Sequence, residues 1–145
     1  MATSIQVVFD TADPDAEARF WAAALGYQLD APPAGFATWE AFLLAQGVPE
    51  ERWNDASAIV DPEGTGPRFF FQRVPEGKTA KNRMHLDLNA GGGRGVELAK
   101  RKRRVDADVV RLKALGATDE RGAMEREGEY WVRMNDPEGN EFCVH

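Results

Sequence analysis

Cysteine is almost missing from this chain. Cys143 is the one thiol in 145 residues, which excludes an intramolecular disulfide and fits a reducing, cytoplasmic compartment. Histidine is nearly as scarce, with His85 and His145 the only two, so any imidazole chemistry must run through them. No apolar run approaches the roughly 20 residues that a membrane-spanning helix needs. The chain does not open on a basic stretch followed by an apolar core, as a signal peptide would. Positive charge is short as well: 18 Lys and Arg stand against 24 Asp and Glu, a net charge of −6. That balance argues against a sequence-independent grip on nucleic-acid phosphates and against anionic membrane surfaces. The remaining composition, 43% hydrophobic and 29% charged, is that of one domain able to bury a core.

The chain is organised around Asn82-Arg83-Met84-His85-Leu86-Asp87-Leu88-Asn89. His85, Asp87 and Asn89 alternate with Leu86 and Leu88, the period of two expected of a strand with one apolar face. Two other stretches repeat the pattern. Gln6 and Asp10 stand opposite Ile5, Val7 and Phe9, while Glu141, Cys143 and His145 stand opposite Phe142 and Val144. If these strands are neighbours, their polar faces line a common concavity, and function is expected there.

In chain order, residues 5–11 read as a strand. Asp13-Pro14 then caps a helix running to Leu25, with Phe20, Ala23 and Ala24 as its buried stripe and Gly26 closing it. A strand opens at Tyr27–Leu29. Residues 36–44 place Trp39, Phe42 and Leu43 at helical spacing, with a strand as the alternative. Strands follow at 56–60 and 68–74, separated by the turn Asp61-Pro62-Glu63-Gly64. The order then restarts: a strand at 84–90, an insertion over 91–105, and a helix holding Asp106, Val109, Leu112 and Leu115 and closed by Gly116. Strands near 117–126 and 130–134, the turn Asp136-Pro137-Glu138-Gly139 and a strand at 140–145 complete it. Each half is a βαβββ unit, about 1–81 and 82–145, ending on the same Asp-Pro-Glu-Gly turn. The fold class is α+β. The basic run Lys100–Arg104 reads either as an anion site or as a solvated helix face offset by Asp106 and Asp108, and net acidity favours the second. Gly91–Gly95 lacks the strand, helix and lysine of a phosphate-binding loop.

The segments Phe20-Trp21…Leu25-Gly26-Tyr27, Asn82–Leu88 and Asp136-Pro137-Glu138-Gly139-Asn140-Glu141-Phe142 resemble the vicinal oxygen chelate superfamily. That superfamily includes glyoxalase I, bleomycin-resistance proteins, fosfomycin-resistance enzymes and extradiol dioxygenases. The resemblance covers nearly the whole chain and implies one domain over 1–145, with two βαβββ modules forming an eight-stranded cup and the helices outside. It also implies metal-holding positions, which fall on Gln6, His85 and Cys143, and near Phe70 or Gln72. One imidazole, one amide and one thiol fall short of the three good protein ligands of catalytic zinc, so neither a metal nor another cofactor is expected. His145 and Glu141 share the face of Cys143 and substitute only if the last strand extends that far.

Residue by residue, His85 is a general acid/base or ligand-gripping donor, or simply a hydrogen-bonded strand histidine. Cys143 reads as an inert filler, because neighbouring carboxylates favour its thiol over its thiolate. Asp10 and Asp87 are paired carboxylates or plain hydrogen-bond acceptors. Arg83 holds an anionic ligand group or neutralises Asp87 and Glu141. Of Trp21, Trp39, Trp53 and Trp131, at most one or two are expected to touch a ligand. The function expected is binding of a small, partly aromatic or carbonyl-containing molecule through His85, Gln6, Asp10, Phe70, Gln72, Asp87 and Cys143. The alternative is a glyoxalase-type lyase or isomerase acting on a small carbonyl or diol. A cytoplasmic homodimer, with no nucleic-acid or membrane partner, completes the expectation.

Overall fold

The structure, a computed structural model, describes residues 1–145, which fall into two compact units, Met1–Gly77 and Lys78–His145. The boundary lies a few residues before the expected one, because Lys78 and Asn82 already bond to Glu141 of the second unit.

The first unit opens with β1 (Gln6–Thr11). The Asp13 carboxylate accepts from Ala16 N and from Asn54 Nδ2, while Asn54 Oδ1 accepts from Asp15 N. These bonds satisfy N–H groups that the first turn of a helix leaves over, and α1 (Pro14–Leu25) starts there. It ends at Gly26, whose φ of 72° suits a residue without a Cβ. The buried face of α1 is Glu17, Ala18, Phe20, Trp21 and Ala24, packed on β3 (Ala56–Val60) and β4 (Arg68–Arg73). Ala23 is exposed, contrary to expectation, because the helix turns Trp21 inward to meet Phe9, with ring centroids 5.4 Å apart. Phe71 stacks on Phe9 as well, with ring centroids 5.3 Å apart. The short β2 (Gln28–Leu29) pairs with β3. Between β2 and β3 lie α2 (Trp39–Ala45), the helical alternative at 36–44, and a 3-10 turn at Glu50–Arg52.

The sheet runs β1-β4-β3-β2, with β1 parallel to β4 and the other pairs antiparallel. Its register sets Gln6 beside Arg68, Val8 beside Phe70 and Asp10 beside Gln72. One face is therefore polar, and the other carries Phe9, Phe69 and Phe71 under α1.

The second unit repeats this plan. It contains β5 (Asp87–Leu88), α3 (Leu98–Leu115), β6 (Thr118–Arg126), β7 (Glu129–Asn135) and β8 (Glu141–Val144). The order is β5-β8-β7-β6, again with first and last strands parallel. Val105 and Leu112 of α3 are fully buried, as are Met134, Phe142 and Val144 of the sheet. α3 begins well before the expected helix and takes in the whole basic run. Glu97 caps it by accepting from Ala99 N and Lys100 N, and straight-chain Lys and Arg are good helix formers.

The strands at 5–11 and 84–90, expected as neighbours, lie in different sheets. Each belongs to its own four-stranded sheet, at whose edge it pairs with the last strand of its own unit. Only Asp87–Leu88 of the expected 84–90 strand forms a ladder, since Ala90 N turns back to Leu88 O. The βαβββ repeat itself is present in both units.

The two Asp-Pro-Glu-Gly turns are built alike. Asp61 accepts from Glu63 N, Thr65 N, Thr65 Oγ1 and Gly66 N at 2.8–3.0 Å. Asp136 accepts from Glu138 N, Asn140 N and Asn140 Nδ2. Gly64 and Gly139 take the positive φ that the turn requires, 71° and 91°. Backbone N–H groups of Glu63 and Gly66 hold the Asp61 carboxyl down to about 2 from an ordinary 3.8. A depressed folded-state pKa stabilises above the unfolded value and is lost as pH falls through the folded one. Asp61→Ala should therefore lower the melting temperature at neutral pH. The gap to the wild type should close between about pH 4 and pH 2, as paired thermal melts across that range would show.

Candidate functional site

The polar face of the second unit is hollow. A concavity of about 550 Å³ is lined by His85, Asp87, Asn89, Cys143 and His145, and is walled by Trp131, Tyr130, Glu129 and Arg101. The parallel register sets Asp87 directly beside Cys143, while Cys143 lies opposite Arg133 on β7. Cys143 N donates to Leu86 O and His145 N to Leu88 O, both at 2.9 Å, so the register holds on either side of the two-residue ladder. Alternation then brings His85, Asp87 and Asn89 into one hollow with Cys143 and His145.

Asp87 is the centre of the group. Its Oδ1 lies 3.2 Å from His85 Nε2, and its Oδ2 lies 3.7 Å from His145 Nε2. The first is an ion-pair or hydrogen-bond distance; the second is too long for a hydrogen bond. His145 Nε2 is buried and makes no hydrogen bond. The donor atoms of His85, Asp87 and Cys143 all lie within 4.8 Å of one another. Burial pushes the Cys143 thiol up, and the Asp87 carboxylate adds to it against the pull of Arg133 and Lys81. Unaided, the thiol stays protonated at neutral pH and is a poor nucleophile.

Beside this hollow, Glu141 is held differently. Burial pushes its carboxyl up, but the Asn82 N–H, its own N–H and Lys78 outweigh that and bring it down to about 2. The cation that serves it is Lys78, at 3.2 Å, in place of the expected Arg83.

The other predicted site residues stand in the first unit, on one face of its sheet. There the groups bond to one another. Arg68 Nη1 donates to Gln6 Oε1 at 2.6 Å, its Nε and Nη2 donate to Asp30 at 2.9 Å, and its guanidinium lies 5.5 Å from the Phe70 ring centre. Gln72 Nε2 donates to Asp10 Oδ1 at 2.7 Å. The metal positions implied by the superfamily resemblance fit badly here. The amide oxygen of Gln6 is taken by a guanidinium, whose charge repels a cation, and Phe70 offers no donor. Within the first unit, Gln6, Asp10, Phe70 and Gln72 come together; within the second, His85, Asp87 and Cys143 do.

Of the four tryptophans, Trp21 is core, Trp39 donates to Asp30 O and Trp53 to Val48 O. Trp131 alone lines the hollow. Arg101 and Glu129 went unread as site residues. Arg101, only 14% exposed in its side chain, donates to Val96 O, Gly128 O and Glu129 Oε2. Lys102 pairs with Glu125 at 2.6 Å, and Arg104 donates to Gly91 O at 3.0 Å. The basic run thus secures one wall of the hollow, with three of its five residues taken by named acceptors. Gly91 permits this close approach, since a Cβ there would lie 3.3 Å from the backbone of His145 and from Arg101 Cβ. Tyr130 donates to Asp106 at 2.5 Å, and that bond, with burial, pushes its phenol up to about 12. Arg101→Ala should cost about 1–3 kcal/mol in chemical denaturation, because it removes a largely buried guanidinium that serves Val96 O, Gly128 O and Glu129 at once, leaving Glu129 with Arg94 alone.

Comparison with known proteins agrees with this architecture. The family model described as "Glyoxalase-like domain" matches residues 6–145. No curated protein matches the chain by sequence. Among solved structures, a glyoxalase/bleomycin resistance protein/dioxygenase family enzyme from Burkholderia phytofirmans is similar, with 16% identity and a TM-score of 0.60 over 96% of this chain and 94% of that one. A possible glyoxalase from Bacillus cereus has 16% identity and a TM-score of 0.59, over 99% and 98% of the two chains. A mutant of the fosfomycin resistance protein FosX from Listeria monocytogenes, complexed with Mn(II) and 1S,2S-dihydroxypropylphosphonic acid, has 11% identity and a TM-score of 0.60, over 100% and 90%. At such identities these likenesses speak for the fold, and the family model covers nearly the whole chain. The family match over residues 6–145, on a chain folded as two βαβββ units, places this protein in the glyoxalase-like domain family.

Proposed function

We propose that this domain binds a small, partly aromatic or carbonyl-containing molecule in the hollow of its second unit. In this reading it does so without the metal set that the superfamily draws from both modules. The observation that carries the reading is the meeting of His85, Asp87 and Asn89 with the indole of Trp131 in one concavity of about 550 Å³. A few convergent polar groups against an aromatic wall, at that volume, are the usual composition of a small-molecule site. His85 and Asn89 supply hydrogen bonds to a carbonyl or hydroxyl oxygen, and Trp131 supplies the flat apolar surface. Gln6, Asp10, Phe70 and Gln72 are a weaker part of the proposal, because the polar ones among them are engaged with neighbours on their own sheet.

The His85–Asp87 pair at 3.2 Å favours a second reading, a lyase or isomerase of the glyoxalase type. A carboxylate that orients an imidazole fixes which ring nitrogen carries the proton, and such a pair can take a proton from carbon next to a carbonyl. The proposal extends to a homodimer, on the superfamily resemblance alone, to a cytoplasmic location, supported by the single cysteine, and to neither a nucleic-acid nor a membrane partner, supported by the net charge of −6. No helix is long and apolar enough to cross a membrane.

The test is a thermal-shift screen of small aromatic and carbonyl compounds, with and without added divalent metal, followed by two variants. His85, with a side chain 42% exposed, should tolerate replacement by Ala with little loss of stability and lose the ligand-induced shift. Leu88 faces the core at 9% exposure, so Leu88→Ala should cost about 2–5 kcal/mol while the folded fraction still binds. Unchanged binding by His85→Ala would remove the hollow as the site. Unfolding of His85→Ala as severe as that of Leu88→Ala would remove the face assignment.

A further inference from the structure

We infer that Arg133 holds the anionic end of the molecule bound in the hollow, so that the ligand is a small aromatic or carbonyl acid with its carboxylate on that guanidinium. The inference rests on the small-molecule reading above and narrows its ligand class. Arg133 borders the hollow on β7. It is the cross-ladder partner of Cys143 and stands two residues beyond Trp131, on the same strand face. Cys143 and Trp131 both line the hollow.

Two observations carry the inference. The first is that the Arg133 guanidinium is poorly served for its burial. Its side chain is 26% exposed, and its ion-pair partner is Glu120 at 3.6 Å, on a side chain 60% exposed. That distance is too long for a hydrogen bond, and Glu120 Oε1 already accepts from Asn135 Nδ2. Arg101, in contrast, donates through all three of its nitrogens, to Val96 O, Glu129 Oε2 and Gly128 O. A guanidinium carries five N–H donors, and a mostly covered cation without hydrogen bonds is costly. An incoming carboxylate satisfies it. The second is that the charge of Arg133 is felt inside the hollow. Burial and Asp87 push the Cys143 thiol up, while Arg133 and Lys81 pull against them.

Placement gives the shape of the ligand. β8 separates β5 from β7, and neighbouring strands lie about 4.8 Å apart, so the β5 and β7 backbones are about 10 Å apart. A flat molecule spans that gap with an oxygen at one end, taken by His85 or Asn89, and a carboxylate at the other, taken by Arg133. Its ring then lies against Trp131. The planar fork of a guanidinium matches a carboxylate with two parallel N–H bonds. A phosphate-like dianion fits less well, because Asp87 and Glu129 also line the hollow and repel its second charge.

4-Acetylbenzoate has this layout, with a ketone and a carboxylate at opposite ends of one ring, and 4-acetylbenzamide is its neutral partner of the same shape. Titration calorimetry on the wild type should find the acid bound about tenfold or more tightly than the amide. Arg133→Gln should bring the acid down to the affinity of the amide and leave the amide unchanged. Arg133→Lys, which keeps the charge and loses the fork, should fall between. The ligand-free melting temperature of Arg133→Gln should be no lower than that of the wild type, because an unserved charge is removed. A lower melting temperature with the acid preference intact makes Arg133 a structural partner of Glu120 and overturns the inference. Equal affinity for acid and amide, or no binding of either, overturns it too. The reading of the hollow fails separately. If acid binding is lost in Arg133→Gln but unchanged in His85→Ala, the anion subsite stands and the hollow does not. If both compounds bind equally and both are lost in His85→Ala, the hollow stands and the anion subsite does not.

Discussion

Each unit depends on one pairing, the parallel ladder between its first strand and its last. Parallel neighbours cannot be joined by a tight turn, so the chain between them must cross over. In the first unit that crossover carries α1, and in the second α3, with the remaining strands added antiparallel beside the last one. The helix then covers one face of the sheet and leaves the other to polar side chains. In the second unit the ladder is two residues long, Asp87 with Cys143 and Leu88 with Val144. A slip of one residue would turn Leu88 out and Asp87 into the core. The burial of Leu88, Phe142 and Val144 thus holds the carboxylate beside the thiol.

Much of this was readable from period alone. Alternation at 85–89 and 141–145 assigns faces, and the repeated Asp-Pro-Glu-Gly marks equivalent points of the two units. Period does not say which sheet a strand joins, which is why strands 5–11 and 84–90 were expected together. Trp131 carried a usable signal: Glu129, Trp131 and Arg133 alternate with Tyr130, Val132 and Met134, and the second set holds the buried Val132 and Met134. The basic run offered no such signal, since composition cannot tell which of five cations turns inward. Arg101 is inward because Gly91, Gly128 and Glu129 approach α3 closely, a tertiary fact absent from local pattern.

The two polar faces spend their hydrogen-bonding groups in opposite ways. In the first unit, Arg68 is shared between Gln6 and Asp30 and lies against Phe70, and Gln72 is bound to Asp10. These pairs are partly exposed, so each contributes little to stability. Their effect is to leave few donors and acceptors on that face free for anything else. In the second unit Asp87 faces two imidazoles and a thiol, one imidazole nitrogen is left over, and an indole walls the space. One duplicated plan thus yields a face that is internally satisfied and a face that is not.

That asymmetry is why the fold neighbours decide so little about chemistry. Chains of 11–16% identity share the scaffold with this one, and a scaffold of this kind supports many reactions. What differs is which side chains the ladder presents at equivalent positions. Here one position implied for a ligand carries a glutamine already bound to arginine, and another carries a cysteine whose neighbour across the ladder is a carboxylate. Any account of function has to start from Asp87, because it is the group that both imidazoles and the thiol surround. Its removal leaves His85, Cys143 and His145 with no common partner.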